Sequence, residues 1–239
     1  MNSTWNQIIY KVWSPFYDQF FNKGIFLKAR REVFKDIEWV QEERVLFVGC
    51  GTGADLEYVP HNDIDITAID FSSDMLDKAR EKFHHTDITF LQMDAQDLTL
   101  PDESFDIVIA SLLLSVVPNP HKCMEEMIRV TKPKGRILIF DKFVPENQEL
   151  SLFKRGIRPL ISLLGTDIGL RFEQVANPFS KQLSIQTDSP IMLNGMYRKI
   201  IGIKNALLLI EVKHHLFKKN MYRPSILHNK IILKRLYQT

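Results

Sequence analysis

Apolar positions recur along the chain in two rhythms. Between residues 5 and 40, Trp5, Tyr10, Trp13, Phe16, Tyr17, Phe20, Phe21, Phe26, Phe34 and Trp39 are interleaved with charge. That spacing predicts two amphipathic helices broken near Ser14-Pro15, because proline suits a helix's first turn and not its interior. From Arg44 the pattern changes to short apolar runs alternating with helical ones. Strands are predicted at Arg44–Val48, Asp65–Ile69, Ile88–Leu91, Phe105–Ala110 and Arg136–Phe140, with helices near 54–59, at Ser73–Phe83 and at Pro120–Thr131. Ser72 or Ser73 is a natural N-cap for the second of these helices. Continuous apolar strands alternating with helices imply a parallel sheet covered on both faces. A helical stretch follows over 148–164. Two late strands, 181–187 and 191–202, flank Thr187-Asp188-Ser189-Pro190 and are expected to pair as an antiparallel hairpin at the sheet edge. The fold class is therefore α/β: a seven-stranded, mostly parallel sheet with helices on both faces and an antiparallel edge hairpin.

The 239 residues suit one such domain with additions. The division expected is a helical lid over 1–40, the α/β domain over 41–203 and a basic extension over 204–239. Composition, 45% hydrophobic and 25% charged, is that of a folded protein. Cys50 and Cys123 give no disulfide framework and fit a reducing cytosol. The start MNSTWNQIIY lacks the basic region and unbroken apolar run of a secretory signal. No segment reaches roughly 18 uncharged apolar residues, so no membrane-spanning helix is expected. Charge is uneven. From Lys204 onward eight Lys or Arg face only Glu211, a net of +7, so the overall +2 leaves −5 for residues 1–203. The tail from Lys204, expected to be helical over 204–219, is basic and apolar together.

The strongest chemical signal is Val45-Leu46-Phe47-Val48-Gly49-Cys50-Gly51-Thr52-Gly53-Ala54. Glycines between a buried strand and a helix let the backbone turn tightly and approach a ligand closely. The same run also satisfies a dinucleotide fingerprint through Gly49, Gly51 and Ala54. Asp70 ends the second strand, 17 residues after Gly53. A carboxylate there can accept both ribose hydroxyls of a nucleoside, although capping the next helix is the plainer use. Met93-Asp94-Ala95 follows the third strand, where an acceptor and a backbone N–H can read an adenine edge. Next come Leu100-Pro101-Asp102-Glu103-Ser104-Phe105-Asp106-Ile107-Val108, Ser111-Leu112-Leu113-Leu114-Ser115-Val116-Val117 and Thr131-Lys132-Pro133-Lys134-Gly135-Arg136-Ile137.

With these in series the chain resembles class I methyltransferases that use S-adenosylmethionine (SAM), specifically those with a type-11 methyltransferase domain. The resemblance spans about residues 44–142, and more loosely 8–203. It implies a Rossmann-like sheet and SAM as cofactor. By it, Gly49, Cys50, Gly51, Thr52 and Gly53 form the loop around the methionine moiety, Asp70 holds the ribose, and Asp94 and Ala95 bracket the adenine. Ser111 and Leu112 contact the donor near its reactive end. Phe71 and Met75 pack on adenine or ribose, or else in the core. Two departures stand out. Phe47 occupies a strand position where many members carry an acid, and Ser115 replaces a frequent histidine, so no histidine base carries over. No metal site is expected, and methyl transfer from a sulfonium needs mainly alignment and exclusion of water.

In relatives a Tyr-Asp pair closes over the donor. Tyr17-Asp18 matches it, making Tyr17 a candidate for cofactor contact and catalysis, against the alternative of an ordinary packed helix. Asp141, at the carboxyl end of the fifth strand, is a candidate to orient or deprotonate the acceptor, or equally to cap a loop. The aromatic lid, the 148–164 segment and the tail favour a lipophilic or amine-bearing acceptor, with contact at an anionic membrane surface. Around Asp141-Lys142-Phe143 the chain resembles bacterial phosphatidylethanolamine N-methyltransferases and quinone methyltransferases. The expectation is a cytoplasmic enzyme, peripheral at the inner membrane surface, acting on a small molecule or lipid. The alternatives are a quinone, phenol or thiol acceptor, or SAM binding without catalysis. Nucleic acid is not the expected partner, because the apolar Ser111–Leu114 run replaces the Pro-rich signature of exocyclic-amine methylation.

Overall fold

A computed structural model of the chain describes residues 23–145 and 167–206. Within them run α1 (Gly24–Phe34), β1 (Arg44–Val48), a 3-10 turn (Leu56–Tyr58), β2 (Asp65–Asp70), α2 (Ser73–Lys82), β3 (Thr89–Gln92), β4 (Phe105–Ser111), α3 (Pro120–Val130) and β5 (Thr131–Lys142). Then follow α4 (Phe172–Ala176), a second 3-10 turn (Asn177–Phe179), β6 (Leu183–Met192) and β7 (Tyr197–Lys204). Tyr17, the helices expected before residue 23, the 148–164 segment and the tail beyond Ala206 lie outside the described residues. The described residues through Asn205 belong to one compact unit.

The seven strands lie in the order β3-β2-β1-β4-β5-β7-β6. β1 to β5 are parallel, and β7 runs antiparallel between β5 and β6. Alternation along each central strand sends successive side chains to opposite faces. Val45 and Phe47 of β1 join Ala29, Val33 and Phe34 of α1, whereas Leu46 and Val48 join Cys123, Met124, Met127 and Ile128 of α3. Both faces are thus buried, which is why these strands read as unbroken apolar runs. Phe47 lies in the α1 layer, 2% exposed and stacked on Phe34.

Three expectations are corrected. The helix near 54–59 is only the 3-10 turn, since Val59, restricted by the following Pro60, is extended at φ −110° and ψ 136°. The edge hairpin turns not at Thr187–Pro190 but at residues 193–196. There Asn194 and Gly195 adopt φ +54° and +81°, while Asp188 lies within β6 and accepts from Arg198 Nε across the hairpin at 2.8 Å. Pro190 is tolerated because β6 is the edge strand. Finally, Lys204 ends β7 instead of starting a helix, and its Nζ donates to Thr131 O at 2.8 Å. Among the described residues no helix is long and apolar enough to cross a membrane.

Candidate active site

The chain winds outward from β1 to β3 and then returns to β4, so β1 and β4 are neighbours across a topological switch point. Crossovers diverge there and leave a crevice beyond the carboxyl ends of the strands. A cavity with about 770 Å³ of empty space, part of it open to solvent, occupies that crevice. Gly49 and Gly51 of the turn after β1 and Asp70 and Phe71 at the end of β2 form its floor, with Met75 of α2 beside them. Met93 to Gln96 form one wall. Ser111, Leu112, Leu113 and Val116 to Pro118 form the other.

Asp70 builds the floor as well as facing it. Its Oδ2 accepts from Gly51 N and its Oδ1 from Ser72 N, each at 2.8 Å. The glycine turn and the start of α2, where Ser72 Oγ accepts from Met75 N at 3.4 Å, are thereby tied to one carboxylate. Burial raises the Asp70 pKa, against the lowering effect of the N–H groups of Ser72, Gly51 and Phe71. Gly49 has φ +69°, and a Cβ there would stand 2.6 Å from Leu113 Cδ1, so the left-handed turn and the close approach of Leu113 to the floor both favour glycine. Gly53 serves a different purpose. At φ +80°, its missing Cβ makes room for Phe83 of the α2 C-terminus, 2.7 Å away.

The second carboxylate, Asp94, accepts through Oδ1 from Gln96 N at 2.9 Å, the i to i+2 closure of an Asx turn. On the opposite wall Leu112 holds φ +54° while its N–H donates to Phe140 O at 2.7 Å. Ser111 Oγ is buried on this wall without a hydrogen-bond partner. Such an orphaned hydroxyl calls for a polar ligand atom. Below it, Asp141 is 0% exposed. It accepts from Ser115 N at 3.0 Å, Ser115 Oγ at 2.7 Å and Lys142 N at 2.7 Å.

Of the residues expected to contact the donor, Gly49, Gly51, Asp70, Phe71, Met75, Asp94, Ala95, Ser111 and Leu112 share this one cavity. Cys50, Thr52 and Gly53 are not on its wall. Cys50 N donates to Ile69 O at 2.9 Å, and burial, reinforced by Asp70, pushes its thiol well above the ordinary range. Asp141, expected either to orient or deprotonate the acceptor or to cap a loop, is not among the described residues lining the cavity, and both of its oxygens accept from Ser115, so that it anchors the segment carrying Ser115. Ser115 is the other half of that anchor. Met93, Gln96, Leu113 and Val116 to Pro118 were assigned no role from sequence. For Gln96 a usable signal exists, since an Asp two residues earlier invites an Asx turn.

The residue types fit SAM. Two carboxylates suit the hydroxyls and amine of an adenosine, Phe71 and Met75 suit its flat faces, and the orphaned Ser111 hydroxyl suits a polar group nearer the reactive end. A model of a methyltransferase domain, the type-11 domain, matches residues 46–139. The phosphatidylethanolamine N-methyltransferase of Cereibacter sphaeroides is 34% identical over 193 residues, covering 79% of this chain and 92% of that relative. The demethylmenaquinone methyltransferase of Renibacterium salmoninarum is 39% identical over 110 residues, covering 46% of each. A SAM-dependent methyltransferase structure from Thermotoga maritima superposes with a TM-score of 0.61 at 19% identity, covering 84% of this chain and all of that one.

Proposed function

Because the chain belongs to the SAM-dependent methyltransferases with a type-11 domain, we propose that its acceptor is a lipid amine and its reaction phosphatidylethanolamine N-methylation. The observation that carries this reading is the extent of the match to the Cereibacter enzyme. It runs through 92% of that relative, against about half of the Renibacterium quinone enzyme and 75% of the one from Listeria welshimeri.

When bound, SAM supplies a methyl group on a positively charged sulfur. The chain's own work is to hold that donor. Gly49 and Gly51 present backbone to its amino-acid end, Asp70 accepts from ribose hydroxyls, Asp94 and Ala95 take the adenine edge, and Ser111 supplies a hydroxyl. Phe71 and Met75 keep the floor apolar, which excludes water from the transfer. Among the described residues lining the cavity, only Asp70 and Asp94 carry an acidic or basic side chain, and both hold structure. An amine suits such a site, because its lone pair attacks once its proton has gone to solvent and needs no dedicated base.

Peripheral membrane contact belongs to the same proposal. Lys142 at the end of β5 pairs with Tyr197, so the β6–β7 turn lies at the cavity end of the sheet. Its Leu193 is 55% exposed, and Ile25 of α1, which shares a groove with Ile191 and Met192, is 50% exposed. Apolar side chains at the edge from which a lipid would enter support docking to the cytoplasmic face of a bilayer. A quinone acceptor is the second reading, favoured by the 39% identity to the Renibacterium enzyme.

The test is incubation of purified protein with methyl-labelled SAM and vesicles containing phosphatidylethanolamine, demethylmenaquinol or neither. Label in the phospholipid headgroup is the expected result. Label in quinone alone would replace the proposal with the second reading, and no label in either lipid would leave a donor-binding protein without this activity.

A further inference from the structure

One side chain on the wall of the donor cavity also bonds to the start of α3. Gln96 Nε2 donates to Asp94 Oδ1 at 2.9 Å and Oδ2 at 3.2 Å, and its Oε1 accepts from Asn119 N at 2.8 Å. The amide orientation follows from its neighbours, since a carboxylate can only accept and an N–H can only donate. Asn119 is the N-cap of α3, its Oδ1 accepting from Lys122 N at 3.1 Å. Gln96 therefore joins Asp94, on one wall, to the helix that follows the other. Further along, the same loop is fastened to α3 twice more. Glu126 Oε2 accepts from Leu98 N at 2.8 Å, and Arg129 donates to Leu98 O and Leu100 O, each at 2.8 Å. These two hold the loop but lie off the cavity wall. Of the three fastenings, Gln96 alone lines the cavity and touches Asp94.

We propose that Gln96 is a positioning residue for the nucleobase: it locks the Asp94 carboxylate in the orientation that accepts from the exocyclic amine of adenine. The inference rests on the assignment of Asp94 to adenine made above. An aspartate at a loop start has two free torsions and, unpartnered, spreads over several rotamers. Here Oδ1 takes two N–H groups, from the Gln96 backbone and amide, while Oδ2 takes only the longer contact. Oδ2 keeps the greater capacity to accept. A fixed acceptor favours an amine and disfavours the oxo group that hypoxanthine carries at the same ring position, because two acceptors face each other unpaired.

The test compares binding of S-adenosylhomocysteine and S-inosylhomocysteine by calorimetry. Wild type is expected to prefer the adenosyl ligand by about 30-fold, the scale of one hydrogen bond to a charged group. Gln96→Leu should shrink that preference to below about 5-fold, mainly through lost adenosyl affinity. A merely structural role would weaken both ligands alike and leave the ratio unchanged, which would overturn the proposal. A wild-type ratio near one would overturn it too. Gln96→Asn, one methylene too short to span Asp94 and Asn119 together, is judged by the same ratio if Gln96→Leu does not fold. Binding of neither ligand to wild type would remove the donor-site assignment itself, and this inference with it.

Discussion

Asp70 and Asp141 occupy equivalent places, each near the carboxyl end of a parallel strand, and each has its pKa raised by burial. Each also ties two segments together through backbone N–H groups. Yet Asp70 faces the cavity between two diverging crossovers, whereas Asp141 lies beside the antiparallel β7 and is not among the described residues that line that cavity. At the switch point a carboxylate retains oxygen capacity for a ligand. At the antiparallel junction the same group is consumed by Ser115 and Lys142. Chemical type and strand-end position are therefore insufficient to mark a functional acid; the direction in which neighbouring chain departs decides.

Substitution should separate the two sites. Asp141→Ala removes the buried carboxylate that accepts from the Ser115 N–H and hydroxyl and should cost about 3 kcal/mol of stability. That corresponds to a Tm lower by roughly 6–12 °C for a chain of this size. A change below about 2 °C would deny Asp141 its anchoring role. Asp70→Asn should instead show mainly in the donor. Calorimetry is expected to find affinity for S-adenosylhomocysteine reduced about 30-fold, or about 2 kcal/mol, with a smaller loss of stability. Unchanged affinity beside a large fall in Tm would make Asp70 a second Asp141 and erase the distinction.

The subtlest difference is in pH. Asp70 must be ionised to accept from ribose, and its folded pKa is raised, so donor affinity should fall on acidification with a midpoint above the ~3.9 of a free aspartate. Asp70→Asn should flatten that profile. Stability runs the other way at these sites. A carboxyl with a raised folded pKa holds its proton better when folded, so its contribution is present at low pH and lost as pH rises through the folded value. Asp106 and Glu126 have the opposite sign. Lys132 and the Arg44 N–H overcome burial at Asp106, and Arg129 dominates at Glu126, so both pKa values are lowered. Their contribution is present above the ordinary carboxylate range and fades as pH falls through the lowered values. A donor-affinity profile that Asp70→Asn leaves untouched would detach the titration from this residue.

Much of the architecture was legible because it rests on local rules. Strands buried on both faces are unbroken apolar runs, Asn119-Pro120 announces α3, and the glycine run after β1 announces a tight turn. The hairpin was misplaced because Asp188-Ser189-Pro190 has turn composition, yet Asp188 is claimed by Arg198, ten residues later and the second residue of β7. Pro190, which has no N–H to donate, survives there because β6 is the edge strand. Gln96 was missed because its importance lies in Asn119, 23 residues away, a distance over which no periodicity operates.

The sequence by itself determined the sheet and the short list of aspartates and glycines, because each follows from chemistry between near neighbours along the chain, while the cofactor class followed from the resemblance that the ordered motifs carry. Only the tertiary structure decided which of those residues share a cavity. Asp70 and Asp94 face it, Gly53 spends its small size on Phe83, and Asp141 is buried against Ser115. Those assignments depend on which strands become adjacent and where crossovers diverge, quantities set by long-range packing rather than by the identity of any one residue.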